Sequence, residues 1–173
     1  RYPGGQPILM GFYQADAICG LQMASLTILS LIRKLKTGDG EAIDGAMLEA
    51  SAGYLGDLIL QAQVGEPLEA VGNRSPDMAP HGVFPCQGED RWIAIAVADD
   101  AGWRGLQGVE GLPPGLLEAR FATREGRLEH QDVLDARIAE WTATWEPDAL
   151  MLALQARGVA AGVVRGAREG LDE

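Results

Sequence analysis

The stretch from Ala17 to Ile32 constrains this chain more than any other, because it is apolar on nearly all sides. Ile18, Leu21, Ile28, Ile32 and Leu35 recur at helical spacing between Asp16 and Lys36, and Arg33, Lys34 and Lys36 fill the last turn. Gly38-Asp39-Gly40 then stops the helix, since Gly takes the positive φ that closes a helix end. The 16 residues from 17 to 32 include Gln22, Ser25, Thr27 and Ser30, too short a run to span a bilayer. The expectation is a helix buried in protein. Residues 1 to about 63 are therefore expected to pack against a further polypeptide piece, either another part of the chain or a second copy. The opening Arg1-Tyr2-Pro3-Gly4-Gly5 reads as a loop rather than a signal peptide, and the absence of an initial Met suggests a piece of a longer polypeptide.

Beyond that helix, helices and strands alternate, which places the chain in the α/β or α+β class. A short strand is predicted at Glu41 to Asp44 and a helix from about Ala46 to Ala62, with Ala50, Ala52 and Gly53 small enough for close approach to a neighbour. Val64 to Pro80 has no periodicity and reads as a linker. Trp92 to Val97 is an apolar run of strand length. Asp99 and Asp100 cap a short helix through Trp103 and Leu106. Leu128 to Trp145 is helical, with Leu134, Ile138, Trp141 and Trp145 on one face, and Pro147 suits the first turn of the next helix. Val159 to Val164 is a further strand, and the acidic tail is compatible with another helix.

Charge narrows the partners. Lys and Arg number 14 against 25 Asp and Glu, a net charge of −11, which argues against nucleic acid or an anionic membrane. Cys19 and Cys86 make no disulfide framework and fit a reducing, cytoplasmic compartment. Cys19 reads as a small packing residue. His81 and His130 add no ligand spacing, so no metal site is expected. The four tryptophans, Trp92, Trp103, Trp141 and Trp145, read as core, and Arg33, Lys34 and Lys36 as a solvated helix end.

No P-loop or Gly-x-Gly-x-x-Gly is present, and Glu49-Ala50-Ser51-Ala52-Gly53 lacks the first Gly of a nucleophile elbow. A longer pattern is more specific. Gly11-Phe12-Tyr13-Gln14-Ala15-Asp16-Ala17-Ile18-Cys19-Gly20 enters the apolar helix, which ends in Lys36-Thr37-Gly38-Asp39-Gly40-Glu41 before Met47-Leu48-Glu49-Ala50. Gly72-Asn73-Arg74-Ser75-Pro76-Asp77-Met78-Ala79-Pro80-His81-Gly82-Val83-Phe84-Pro85-Cys86 follows, then Asp90-Arg91-Trp92-Ile93-Ala94-Ile95-Ala96-Val97 and Trp103. In order and spacing this set resembles the family III coenzyme A transferases, the CaiB/BaiF family that includes formyl-CoA and carnitine CoA-transferases, from about Gly5 to Val164.

The resemblance implies an interlocked homodimer with a Rossmann-like, discontinuous large domain and an inserted small α+β domain. Residues 1–63 would be a large-domain segment, 64–77 a linker, 78–165 the small domain and 166–173 the start of the return segment. The family's chain is about twice this length, so a fragment is implied. Asp16, with Gly20 four positions on, matches the family's catalytic Asp. Such a carboxylate attacks an acyl-CoA thioester and passes CoA to an acceptor carboxylic acid, with no cofactor beyond coenzyme A. As a plain residue at a helix start, Asp16 would be an N-cap. The loop from Met78 to Gly82 matches one that closes over the family's active site, so Ala79, Pro80, His81 and Gly82 are candidate substrate or CoA contacts. His81 would donate a hydrogen bond to a carboxylate or thioester oxygen; otherwise it is a surface or turn residue. Gly82 stands where the family often has a glycine run.

Two alternatives share the scaffold. An α-methylacyl-CoA racemase also carries an Asp at the place of Asp16. It uses a His upstream, which would lie before Arg1, and shows Gly-Gly-Ala-Pro-Phe-Tyr where this chain has Asp77-Met78-Ala79-Pro80-His81-Gly82. The other alternative is a non-catalytic dimerisation module that retains the fold.

Overall fold

A computed structural model describes residues 2, 4–6, 13–65, 67–166 and 169 of the chain. It divides the polypeptide into two compact units, Arg1–Ala70 and Val71–Glu173. The sequence places a linker at 64–77; the division falls within it, after Ala70.

The first unit is helical throughout its described elements: α1 (Gln14–Thr37), α2 (Met47–Tyr54) and α3 (Gly56–Gln63). Gly38 ends α1 at φ +83, in the left-handed region, and its N–H donates to the Lys34 carbonyl at 2.8 Å. The single helix expected over 46–62 is broken at Leu55, between Gly53 and Gly56, whose backbone freedom weakens a helix interior. The strand expected at Glu41 to Asp44 is not formed. No strand among the described residues of this unit lies beside it to complete a ladder, and Glu41 instead pairs with Arg33 at 2.8 Å.

α1 is left uncovered within this chain, which agrees with the expectation that its cover is a further polypeptide piece. None of its residues is buried: Leu21 is 71% exposed, Ile28 59% and Ile32 43%, while Ile18 is half-buried. α2 packs beside α1, and Ala50 is the one buried residue among those described in the unit. The helix also outruns its apolar stretch. Its 24 residues, with a mean hydropathy of 1.6 in the best window, have the length and composition of a membrane span. The core helix of a larger soluble fold has the same properties.

The second unit is built on a three-stranded antiparallel sheet in the order β1 (His81–Pro85), β2 (Trp92–Ala96), β3 (Ala160–Val164). His81 and Gly82, expected in a loop, are the first two residues of β1, opposite Ala96 and Ile95. Alternation along β2 sorts the two faces. Ile93 and Ile95 are buried, whereas Trp92, Ala94 and Ala96 point to the other side. Four α-helices lie between β2 and β3 in the chain: α4 (Asp100–Gln107), α5 (Arg124–Glu129), α6 (Gln131–Thr142) and α7 (Pro147–Gln155). α6 packs on β1 and α7 on β2 and β3. Phe84, Ile93, Ile95, Trp103, Leu106, Phe121, Leu134, Ile138, Leu150 and Leu154 form one core, each 4% exposed or less.

Local signals explain the helix starts. The Asp99 side chain accepts from Gly102 N–H at 2.8 Å, and Glu146 caps α7 from just before Pro147. The single helix expected over 128–145 is divided at His130 and ends at Thr142. Trp103 and Trp141 are core residues and Trp145 packs against the core, but Trp92 is not. It lies on the uncovered sheet face, 39% exposed, with its indole N–H bonded to Asp90. The helix considered for the acidic tail falls largely outside the described residues.

Candidate active site

Asp16 occupies the first turn of α1, where unpaired backbone N–H groups and the helix dipole favour a negative charge. It is the third helical residue, not the cap: the N-cap position is Tyr13, and no side chain bonds the helix start there. The carboxylate is exposed. Gly20 lies one turn further along the same face, and a Cβ built there would meet no atom within 4 Å. Packing inside this unit therefore does not require glycine at position 20.

The other candidates sit together in the second unit, where the chain runs into β1. Ala79 and Pro80 are buried, and the peptide between them is cis. Both carbonyls are claimed. Ala79 O accepts from Arg127 Nε at 2.7 Å and Pro80 O from Val97 N–H at 2.8 Å. A Cβ at Gly82 would come within 3.1 Å of the Phe84 ring, a tight approach that the ring would have to yield to by a few tenths of an ångström. His81 is half-buried, its Nδ1 2.5 Å from the carbonyl oxygen of Asn73. A carbonyl only accepts, so Nδ1 carries the proton and Nε2 of the neutral ring is an acceptor. Donation to a substrate oxygen, the role expected for His81, requires the imidazolium.

His81 and Gly82, but not the buried Ala79 and Pro80 expected with them, border a shallow depression of about 550 Å³ on the uncovered sheet face. Its floor is small, formed by Ala94, Ala96 and Gly162, and its polar rim is Asn73, Arg74 and His81. Arg74 is already committed there. Its guanidinium meets Asp132 at 2.7 Å and Asp135 at 2.8 Å. Burial opposes the Arg74 charge, but the hydrogen bonds it donates to the two carboxylates outweigh it and leave its pKa raised. Burial also pushes the Asp135 carboxyl up, against the pull of Arg74. A second anion on this rim would compete with two carboxylates already in place.

The sequence model of CoA-transferase family III matches residues 2–173. The chain belongs to that family. A probable CoA-transferase of Mycobacterium tuberculosis is 33% identical over 156 residues, 87% of this chain and 19% of that protein. Succinyl-CoA–D-citramalate CoA-transferase of Chloroflexus aurantiacus is 28% identical over 99% of this chain and 43% of its own length. A CaiB/BaiF family protein from Brucella suis, solved by crystallography, superposes with a TM-score of 0.83 at 27% identity, covering all of this chain and 46% of its own. The chain thus spans less than half the length of each of these relatives. Its mixture of helices with a small antiparallel sheet is the α/β architecture of this CoA-transferase family.

Two features around these candidate residues escaped the sequence. Arg127, in Thr123-Arg124-Glu125-Gly126-Arg127, reads as one more charge on a polar helix, yet it is wholly buried beneath Ala79. Asn73 fixes the His81 tautomer through a backbone carbonyl, which no residue pattern announces.

Proposed function

We propose that the chain supplies the nucleophilic aspartate and part of the substrate-binding surface of an enzyme that moves coenzyme A from an acyl-CoA thioester to a carboxylic acid. The observation that carries this reading is Asp16, exposed in the first turn of α1 with bare backbone at Gly20 on the same face. A carboxylate so placed is open to a bulky thioester, and positive backbone dipoles lie behind it.

The chemistry balances without an external reactant. An Asp16 oxygen attacks the thioester carbonyl, the C–S bond breaks, and CoA leaves as thiolate to give a mixed anhydride. The thiolate then attacks the Asp16 carbonyl carbon, releasing the donor carboxylate and forming an aspartyl–CoA thioester. The acceptor carboxylate repeats the sequence in reverse and departs as acyl-CoA, restoring Asp16. No electrons are transferred, so no cofactor beyond coenzyme A is invoked. His81 and Gly82 would border the substrate, with His81 presenting Nε2 to it, while the buried Ala79 and Pro80 hold the backbone behind them. A homodimer in the cytoplasm completes the proposal. Both curated relatives described above are named CoA-transferases, which supports transfer over racemisation.

The test uses the full chain with succinyl-CoA and D-citramalate, the pair in the Chloroflexus relative's name, followed by a panel of other acids. Asp16→Ala and Asp16→Asn should lower transfer about a thousand-fold or more and abolish the acyl or CoA adduct seen at Asp16 by mass spectrometry. Near-normal turnover in either variant would refute the assignment.

A further inference from the structure

We infer that Arg127 is a positioning residue for the substrate side of the site, holding the backbone from which His81 and Gly82 emerge. The inference rests on the proposed role of residues 79–82. Arg127 lies in α5, whose first turn is capped by Thr123, and its side chain is 0% exposed. Its guanidinium gathers three separate segments. Nε donates to Ala79 O at 2.7 Å, and Nη1 donates to Phe121 O at 3.2 Å and to the carboxylate of Asp100, first residue of α4, at 3.0 Å. The plane sits 5.2 Å from the centroid of the Trp103 ring.

This is a costly way to fill a core. The countercharge is not buried with the cation, because the Asp100 side chain is 52% exposed. Nη2 is buried with no hydrogen-bond partner among the described residues. An apolar residue of similar volume would commonly serve stability as well or better. What it could not do is hold the Ala79 carbonyl, which is buried and has no water to turn to. Pro80 has no N–H to contribute, so the Arg127 bond to Ala79 O and the Val97 bond to Pro80 O set the backbone two residues before His81. His81 is then held at its ring by Asn73 and at its backbone by pairing with Ala96. Releasing Ala79 removes one side of that frame and moves Nε2 relative to any substrate. Lysine cannot replace the fork, since a single ammonium cannot serve three segments in fixed directions.

The experiment measures KM and kcat with succinyl-CoA and D-citramalate on the full chain, well below each variant's melting temperature, for Arg127→Lys, Asp100→Asn and His81→Gln. Asp100→Asn cuts the same guanidinium loose from its countercharge but leaves the bond to Ala79. The expected result is a KM raised about 10- to 100-fold in Arg127→Lys, with Asp100→Asn less stable but unchanged in KM. Arg127→Lys with unchanged KM while His81→Gln raises it would overturn the positioning role and leave the substrate reading standing. Unchanged KM in both would overturn the two together. A rise in Asp100→Asn equal to that in Arg127→Lys would also overturn the inference, since it would mark general loosening of the core.

Discussion

The two units of this chain solve the burial problem to very different degrees. In residues 71–173 a sheet covered on one face by helices buries Ile93, Leu106, Leu134, Leu150 and Leu154 to 0% exposure. In residues 1–70 a longer and more apolar helix buries nothing, and Leu35 is 87% exposed. Hydrophobicity alone therefore does not make a core. A helix closes its own backbone hydrogen bonds along its length, so α1 forms from local sequence. Burial needs a second layer, which the later unit makes from its own β2 and α7 and the described residues of the earlier unit do not provide.

The sharpest way to break this contrast is to separate the units. Residues 71–173 expressed alone should unfold in one cooperative transition by circular dichroism, with low binding of a hydrophobic dye. Residues 1–70 alone should show gradual helix loss and strong dye binding. A sharp transition in the 1–70 peptide would overturn the comparison.

A second test compares equal deletions. Ile93→Ala should lower the stability of the 71–173 unit by about 2–5 kcal/mol, read from its urea midpoint. Ile28→Ala, at a site 59% exposed, should leave that midpoint within about 0.5 kcal/mol. Equal effects would mean that α1 belongs to the same cooperative core.

The smallest effect expected is in acid. The hydrogen bond from Arg165 Nη2 at 2.6 Å holds the Asp148 carboxyl below its usual range. The Gly166 N–H and then Arg91 do the same for Glu169, and Arg137 for Glu118. Groups with lowered pKa stabilise the fold above their unfolded values and lose that contribution as pH falls, here below about pH 4. Asp135, raised by burial, has the opposite sign and favours the fold until pH rises through its folded value. Asp148→Asn should make the acid decline in melting temperature of the 71–173 unit shallower. An identical acid limb would remove Asp148 from the account.

How much of this was legible follows the same division. Helix α1 and its stop at Gly38, strand β2, the Asp99 cap and the start of α7 at Pro147 all carry local signals, and each forms close to where its residues place it. The segment Glu41 to Asp44 has only Ile43 to favour a strand, and strands also need a partner that sequence does not supply. β1 was hidden for the opposite reason: His81-Gly82-Val83-Phe84-Pro85 is a poor strand by composition, and pairing with β2 makes it one.

By itself, the sequence determined α1, β2, the starts of α4 and α7, the family and the position of Asp16 before an apolar helix, because those depend on residue order and short-range backbone physics. Only the tertiary structure decided which apolar residues are covered, that the His81 Nδ1 proton faces the Asn73 carbonyl, and that Arg127 lies in the core against Ala79. Those outcomes depend on contacts such as that between residues 79 and 127, far apart in the chain, and no local propensity encodes them.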